Sequence, residues 1–173
     1  TTTTKEKKAK KTTAATTKAT ETSTKIVLTP EAKMVADNFK SNKGRLPWPV
    51  EKGFVSQKFG NQPHQIQPKL IVHSNGVEIT TESGSSARAV FAGTVYSIQI
   101  LSPINTLVMI QHGDFITVYQ NLSSVSVKKG DKVSIKQTIG KIRTNNSTGK
   151  TALKFSVLQN DTFLNPQSWI YNM

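Results

Sequence analysis

Residues 105–122, NTLVMIQHGDFITVYQNL, hold two β-branched and aromatic runs that break at Gly113. Their partial alternation of apolar and polar positions is the period of an extended strand, and the glycine marks a turn between them. The same grammar extends outward through ARAVFAGTVYSIQI (87–100), KVSIKQTIGKI (132–142) and ALKFSVL (152–158), punctuated at Gly84, Gly93, Gly130, Gly140 and Gly149. From Leu46 onward this predicts an all-β domain of many short antiparallel strands in a compact, barrel-like sheet. Gly93 and Gly140 fall inside strand patterns, where a glycine commonly marks a bend. Trp48, Trp169 and the Phe residues are expected in the core, because large aromatics mostly serve packing.

Upstream the composition changes. LTPEAKMVADNFKSNKG (28–44) predicts a short helix, with Thr29 as cap, Pro30 in the first turn, Ala32, Val35 and Phe39 on one face, and Gly44 as terminator. A helix this short is marginal alone and is expected to pack on the body or continue an element further upstream. Residues 1–25 are Thr, Lys and Ala without a large apolar side chain, so they bury too little surface to offset chain entropy. The organisation read from the sequence is a Thr/Lys-rich linker or flexible tail at 1–28, a helix and connector at 29–45, and the β body at 46–173.

The chain has 173 residues and no Cys, which excludes disulfides and thiolate metal sites. No apolar run approaches the ~20 residues of a membrane helix, and no signal-peptide pattern opens the sequence, so the chain as it stands is expected to be soluble. Its net charge is +13; residues 1–25 carry seven Lys against two Glu, a net of +5, which leaves +8 on the remainder. Basic surfaces favour anionic partners. Nucleic acid is not expected, because the basic residues are scattered and no aromatic stacking platform accompanies them.

Read without a family, the chemistry is sparse. A catalytic zinc commonly takes three protein ligands, and the histidines are His64, His73 and His112. His73 and Glu78 lie five apart, so in one extended strand they would face opposite ways. His112, in QHGD, reads as a surface or turn-supporting residue, and His64, in NQPHQ, as an exposed loop residue. Neither a GxSxG nucleophile elbow nor a phosphate-binding loop is present.

Four stretches taken in order do carry a resemblance: PWPVEKGFVSQKFG (47–60), NGVEITTESGSSARAVFAGTVYSI (75–98), LVMIQHGDFITVYQNLSSVSVKKGDKVSIKQTIGKI (107–142) and ALKFSVLQNDTFLNPQSWI (152–170). Over about residues 46–173 the chain resembles the LytM, or lysostaphin-type, zinc endopeptidases that cut peptidoglycan cross-bridges, which implies their duplicated hybrid-motif β fold. Active members carry His-x-Gly-x-Asp, Tyr-x-His-Leu and His-x-His-Phe. At the corresponding places stand Ser74 and Glu78, Asn121, and Ala152 and Lys154. None is a histidine, and an ammonium at Lys154 opposes a cation. The resemblance is therefore to the degenerate branch, the EnvC-like murein hydrolase activators, and implies no catalytic residue, no metal and no cofactor.

For that branch the vacated groove is implied to bind the regulatory helix of a cell-wall amidase and draw it from the amidase active site, in cell division. Ser74, Asn75, Glu78, Tyr119, Asn121, Ala152, Lys154 and Ser156 are the groove candidates, with Ala152 leaving room where a ring once stood and Lys154 free to pair with a partner carboxylate. The implied location is the cell envelope, in the periplasm, with an upstream coiled coil reaching a membrane division complex. Three alternatives remain: a peptidoglycan-binding module, a hydrolase with unusual ligands such as His73 and Glu78, and a carrier domain suggested by VKKGDKVSIKQTIGKI (127–142).

Overall fold

The computed structural model describes residues 29–64 and 66–173; the tail expected at 1–28 lies outside the described residues. Helix α1 (Pro30–Ser41) leads into twelve strands: β1 (Phe54–Gln57), β2 (Gly60–Pro63), β3 (Ile71–Ser74), β4 (Val77–Thr81), β5 (Ser86–Arg88), β6 (Gly93–Ser102), β7 (Asn105–His112), β8 (Phe115–Val125), β9 (Lys132–Val133), β10 (Thr138–Ile142), β11 (Thr151–Gln159) and β12 (Thr162–Leu164). A single 3₁₀ turn, Pro166–Ser168, precedes the last residues. Ten strands form one antiparallel sheet, with the main order β1-β4-β11-β8-β7-β6-β9; β10 pairs β5 and β8, and β12 pairs β11. β2 and β3 make a separate two-stranded ribbon. The all-β architecture read from the sequence is the one observed.

The expected hairpin at 105–122 is β7–β8, paired from His112↔Phe115 to Thr106↔Leu122. β8 changes partner along its length. Phe115 to Gln120 pair with β11, whereas Leu122 to Val125 pair with β10. Asn121, at the change, has a positive φ of 76°, a conformation in which Asn is several-fold enriched. Its N–H donates to Asn105 Oδ1 at 3.1 Å, its carbonyl accepts from Arg143 N at 2.9 Å, and its amide donates to Ala152 O at 2.6 Å.

Gly93 and Gly140 serve close approach. A Cβ at Gly93 would lie 2.4 Å from Gln111 O, and one at Gly140 would lie 2.3 Å from Ser124 O, so each glycine lets a neighbouring strand pass within contact of its Cα.

α1 forms as its sequence dictates. Thr29 Oγ1 accepts from Ala32 N at 3.2 Å, Pro30 occupies the first turn, and Asn42 caps the other end two residues before Gly44. Ala36 and Phe39 are its buried residues, one turn apart. Phe39 lies between the His112 ring (4.9 Å, stacked) and the Trp169 ring (5.1 Å, stacked), with Phe115 at 4.8 Å and Phe91 edge-on at 5.7 Å. The helix is thus anchored in the same core as the sheet. The connector is stitched to the chain end as well, by Gly44 N and Leu46 N on Trp169 O and by Tyr171 N on Leu46 O. Trp169 is a core residue, Trp48 is half-buried with its indole donating to Tyr171 O at 2.8 Å, and Phe54 departs from the expectation by being 62% exposed.

His112 also departs from its sequence reading. It is fully buried, with Nδ1 2.8 Å from Ala92 O and Nε2 2.9 Å from Thr117 Oγ1. The Thr117 hydroxyl lies 3.1 Å from that of Tyr119, which accepts from Val90 N at 3.0 Å. This chain of bonds satisfies four buried polar groups and ties β7, β8 and the approach to β6 together. Burial pushes the His112 pKa down to about 4, although the bond to Ala92 O opposes the shift, and burial pushes the Tyr119 phenol up to about 12.

A histidine whose folded pKa is depressed contributes stability above its unfolded value, about 6.5, and loses it as pH falls toward 4. Urea unfolding of the full chain is expected to show about 3 kcal/mol less stability at pH 4 than at pH 6.5 from this group. His112→Gln should be less stable at pH 7 and should flatten the slope between pH 5 and 6.5. An unchanged slope in the variant would assign the pH dependence elsewhere.

Candidate functional site

The site is built on the middle of the sheet, where β11 lies between β4 and β8. Lys154 is opposite Glu78 on one side and Gln120 on the other, and Gln57 of β1 is opposite Glu78. Directly opposed residues on antiparallel strands share a face, so Gln57, Glu78, Lys154 and Gln120 form one polar row across four strands. The next row, Val77, Phe155 and Tyr119, points the other way and is fully buried.

Two adjoining clefts, of about 310 and 260 Å³, lie over this row and share Gln57 and Glu78. The larger takes in His73, Ser74, Asn75, Glu78, Gln120, Lys154 and Ser156; the smaller runs under the β2–β3 ribbon past His64 and Ile66 to Lys150. The turn between β3 and β4 forms one wall. There Ser74 Oγ donates to Gly76 O at 2.7 Å, while a Cβ on Gly76 would fall 2.3 Å from both Phe155 O and Ser156 Oγ. Only glycine lets this turn lie against β11.

Of the eight candidates, Ser74, Asn75, Glu78, Lys154 and Ser156 border the larger cleft. Three of the candidates do not join them. Tyr119 is a core residue, because it is one strand position from Gln120 and so faces the opposite side. Asn121 is turned away by its positive φ and spends its amide on Ala152 O. Ala152 is buried, 8% exposed, and borders neither cleft, so the room expected beside it is not part of the groove. Gln57, Gln120 and Lys150 belong to the site and were missed. Alternation about a core Tyr119 points to Gln120; Lys150 lies in a loop, and no periodicity indicates it.

The expectation that His73 and Glu78 face opposite ways is corrected too. The chain turns at Asn75–Gly76, so the two residues occupy different strands and border one cleft. The His73 ring is nevertheless committed, with Nδ1 2.7 Å from Asn61 Oδ1 and Nε2 3.0 Å from Asn75 Oδ1. His64 is half-buried at the groove mouth, and its Nδ1 accepts from the Ile66 and Gln67 N–H groups at 3.2 Å.

Glu78 is the one carboxylate of the row. Lys150 Nζ donates to its Oε1 at 2.5 Å and Ser56 Oγ donates to the same oxygen at 2.9 Å. Burial by itself raises its pKa, but the bonds from Lys150 and Ser56 and the charges of Lys150 and Lys154 outweigh burial and hold the carboxyl below its usual value. This donor set does not fit a zinc ion. The carboxylate is already neutralised, an ammonium occupies the neighbouring row position, and among the described residues no group of three His, Cys, Asp or Glu could hold a metal.

The model of Peptidase family M23 matches residues 72–166, 95 of the 173 residues. The chain is 30% identical over 102 residues to stage II sporulation protein Q of Bacillus subtilis, covering 56% of this chain and 36% of that protein. It spans 22–36% of the length of the curated relatives it matches. Among solved structures it superposes on Helicobacter pylori Csd3 with a TM-score of 0.61 at 27% identity, over 74% of this chain and 35% of that one. A chain from the crystal structure of the SpoIIIAH and SpoIIQ complex gives a TM-score of 0.59 at 26% identity, over 70% and 97%. This chain belongs to peptidase family M23, as a degenerate LytM-type domain.

Carboxyl-detected NMR titration checks the electrostatics of the row. Lys150→Met is expected to move the Glu78 midpoint upward, since burial then meets weaker opposition, and Lys154→Met to move it by less. A Glu78 midpoint unmoved by Lys150→Met would remove the ion pair as the cause.

Proposed function

We propose that this member of peptidase family M23 acts by binding and not by hydrolysis: its groove receives the regulatory helix of a cell-wall amidase and holds it away from the amidase active site. The observation that carries the reading is the row itself, where Glu78 is held by Lys150 and Lys154 stands opposite it on β11. A groove lined by amides, one carboxylate and two lysines is chemically suited to a polar, partly acidic protein segment. Activation then needs only differential affinity: the groove must bind the released helix better than the blocked one. The setting is the cell envelope, in the periplasm. No helix among the described residues is long and apolar enough to cross a membrane.

The likeness to SpoIIQ, described in complex with SpoIIIAH, supports a protein partner and favours a second reading in which the domain is an assembly subunit of an envelope complex without an amidase. Release of dye from labelled peptidoglycan by purified amidases, with and without the full chain, separates the two. Release only in the mixture, with Lys154→Glu raising the half-maximal concentration by about tenfold, is the result expected of activation. No change with any amidase leaves the assembly reading, and release by the chain alone sinks both.

A further inference from the structure

On the far side of the sheet from β1, the order ends in β9, which pairs with β6 only at Gly93 and Thr94. Two more bonds, Val95 N to Asp131 O and Gly130 N to Val95 O, close the contact. Past Val95, no strand of the described residues pairs with the outer side of β6, although its inner side pairs with β7 as far as Ser102. The open lane runs along YSIQILS (96–102), seven residues without a charge or a proline. Proteins blunt such edges with lysine, proline or bulges, because unpaired N–H and C=O groups invite another strand. Here register shifts at Val95/Ser97 and Ile100/Ser102 put irregularities at Tyr96 and Leu101, and the stretch between them, Ser97 to Ile100, pairs regularly with β7 and carries none of the other blunting devices.

Two further features lie on this edge. Ile100, Leu101 and Ile104, at the tip end of the β6–β7 hairpin, are 78%, 49% and 53% exposed, and Tyr96, nearer the β9 end of the strand, is 48% exposed. A cleft of about 460 Å³ runs beside the strand, bordered by Tyr96, Gln99 and Lys129. Because β9 runs antiparallel to β6, the lane it vacates ends against the turn Lys128–Lys132, whose sequence KKGDK carries three lysines and one aspartate. All three lysines are exposed, and Lys128 N is engaged by Asp131 Oδ2 at 2.8 Å.

We propose that the outer edge of β6 is a docking site, separate from the groove, for an extended acidic segment of a partner protein. The segment adds as a strand in the lane beyond β9. Its main chain bonds the free edge of Tyr96–Ser102, its apolar side chains meet Tyr96, Ile100 and Leu101, and a carboxylate at its near end meets Lys129. The charge of the turn selects the occupant: a second copy of this chain would bring its own basic surface against these lysines, whereas an acidic strand complements them.

The test uses the ¹⁵N-labelled full chain and a capped heptapeptide, Thr-Val-Glu-Val-Thr-Val-Glu, with a twin carrying lysine in place of glutamate. The glutamate peptide is expected to shift and slow the exchange of amides within Tyr96–Ser102 and to bind about tenfold tighter than its twin. Lys129→Glu should abolish that preference, and Ile100→Lys should weaken binding without lowering the thermal midpoint. Equal binding of the two peptides, no binding of either, or perturbation at Glu78 and Lys154 instead of β6 would overturn the proposal. So would β6 amides that become protected with chain concentration alone, since a second copy then fills the lane. The groove reading is untouched by any of these results except perturbation at Glu78.

Discussion

Antiparallel pairing of β11 with β4 on one side and β8 on the other is the constraint on which both faces of the molecule depend. One register sets two rows at once: Val77, Phe155 and Tyr119 enter the core, and one position away Glu78, Lys154 and Gln120 line the groove. A slip of one residue would exchange them, placing an ammonium and a carboxylate among aromatic side chains. The apolar row therefore holds the polar row in place, and the groove keeps its shape through core packing. Burial of the core row is worth roughly 1.5–3 kcal/mol for each large side chain, more than an exposed ion pair supplies, so the core decides the register and the site follows.

The same economy governs the approach of α1. Phe39 enters between the His112 and Trp169 rings, joining the helix, the end of β7 and the C-terminal turn in one aromatic cluster. A buried histidine there is tolerated because it is neutral and both nitrogens have partners. Its network with Thr117 and Tyr119 fixes the β7–β8 hairpin from inside, while Asn121 ends the β11 pairing and hands β8 to β10. Asn121 thus serves here as a junction of the backbone.

Much of this was legible in the residues. Alternation and glycine punctuation point to the strands, Thr29 and Pro30 mark the helix start, and five of the candidate residues, Ser74, Asn75, Glu78, Lys154 and Ser156, border one cleft. The misreadings have a common cause. The neighbours of His112 in QHGD suggest a turn, but its burial depends on Phe39, seventy-three positions away, and on Thr117 across the hairpin. The five-residue spacing of His73 and Glu78 reads as one strand, whereas a turn at Gly76, allowed by its contact with β11, separates them.

Local sequence by itself determined the β class and the helix, because these follow from residue types and from periods of two and 3.6. The tertiary structure alone decided that Lys150 neutralises Glu78 from seventy-two residues away, that Gln120 and not Asn121 lines the groove, and that β6 keeps an open edge. Each of these depends on which strands become neighbours and where a pairing stops. That is fixed by the cooperative packing of distant apolar faces, and no local pattern encodes it.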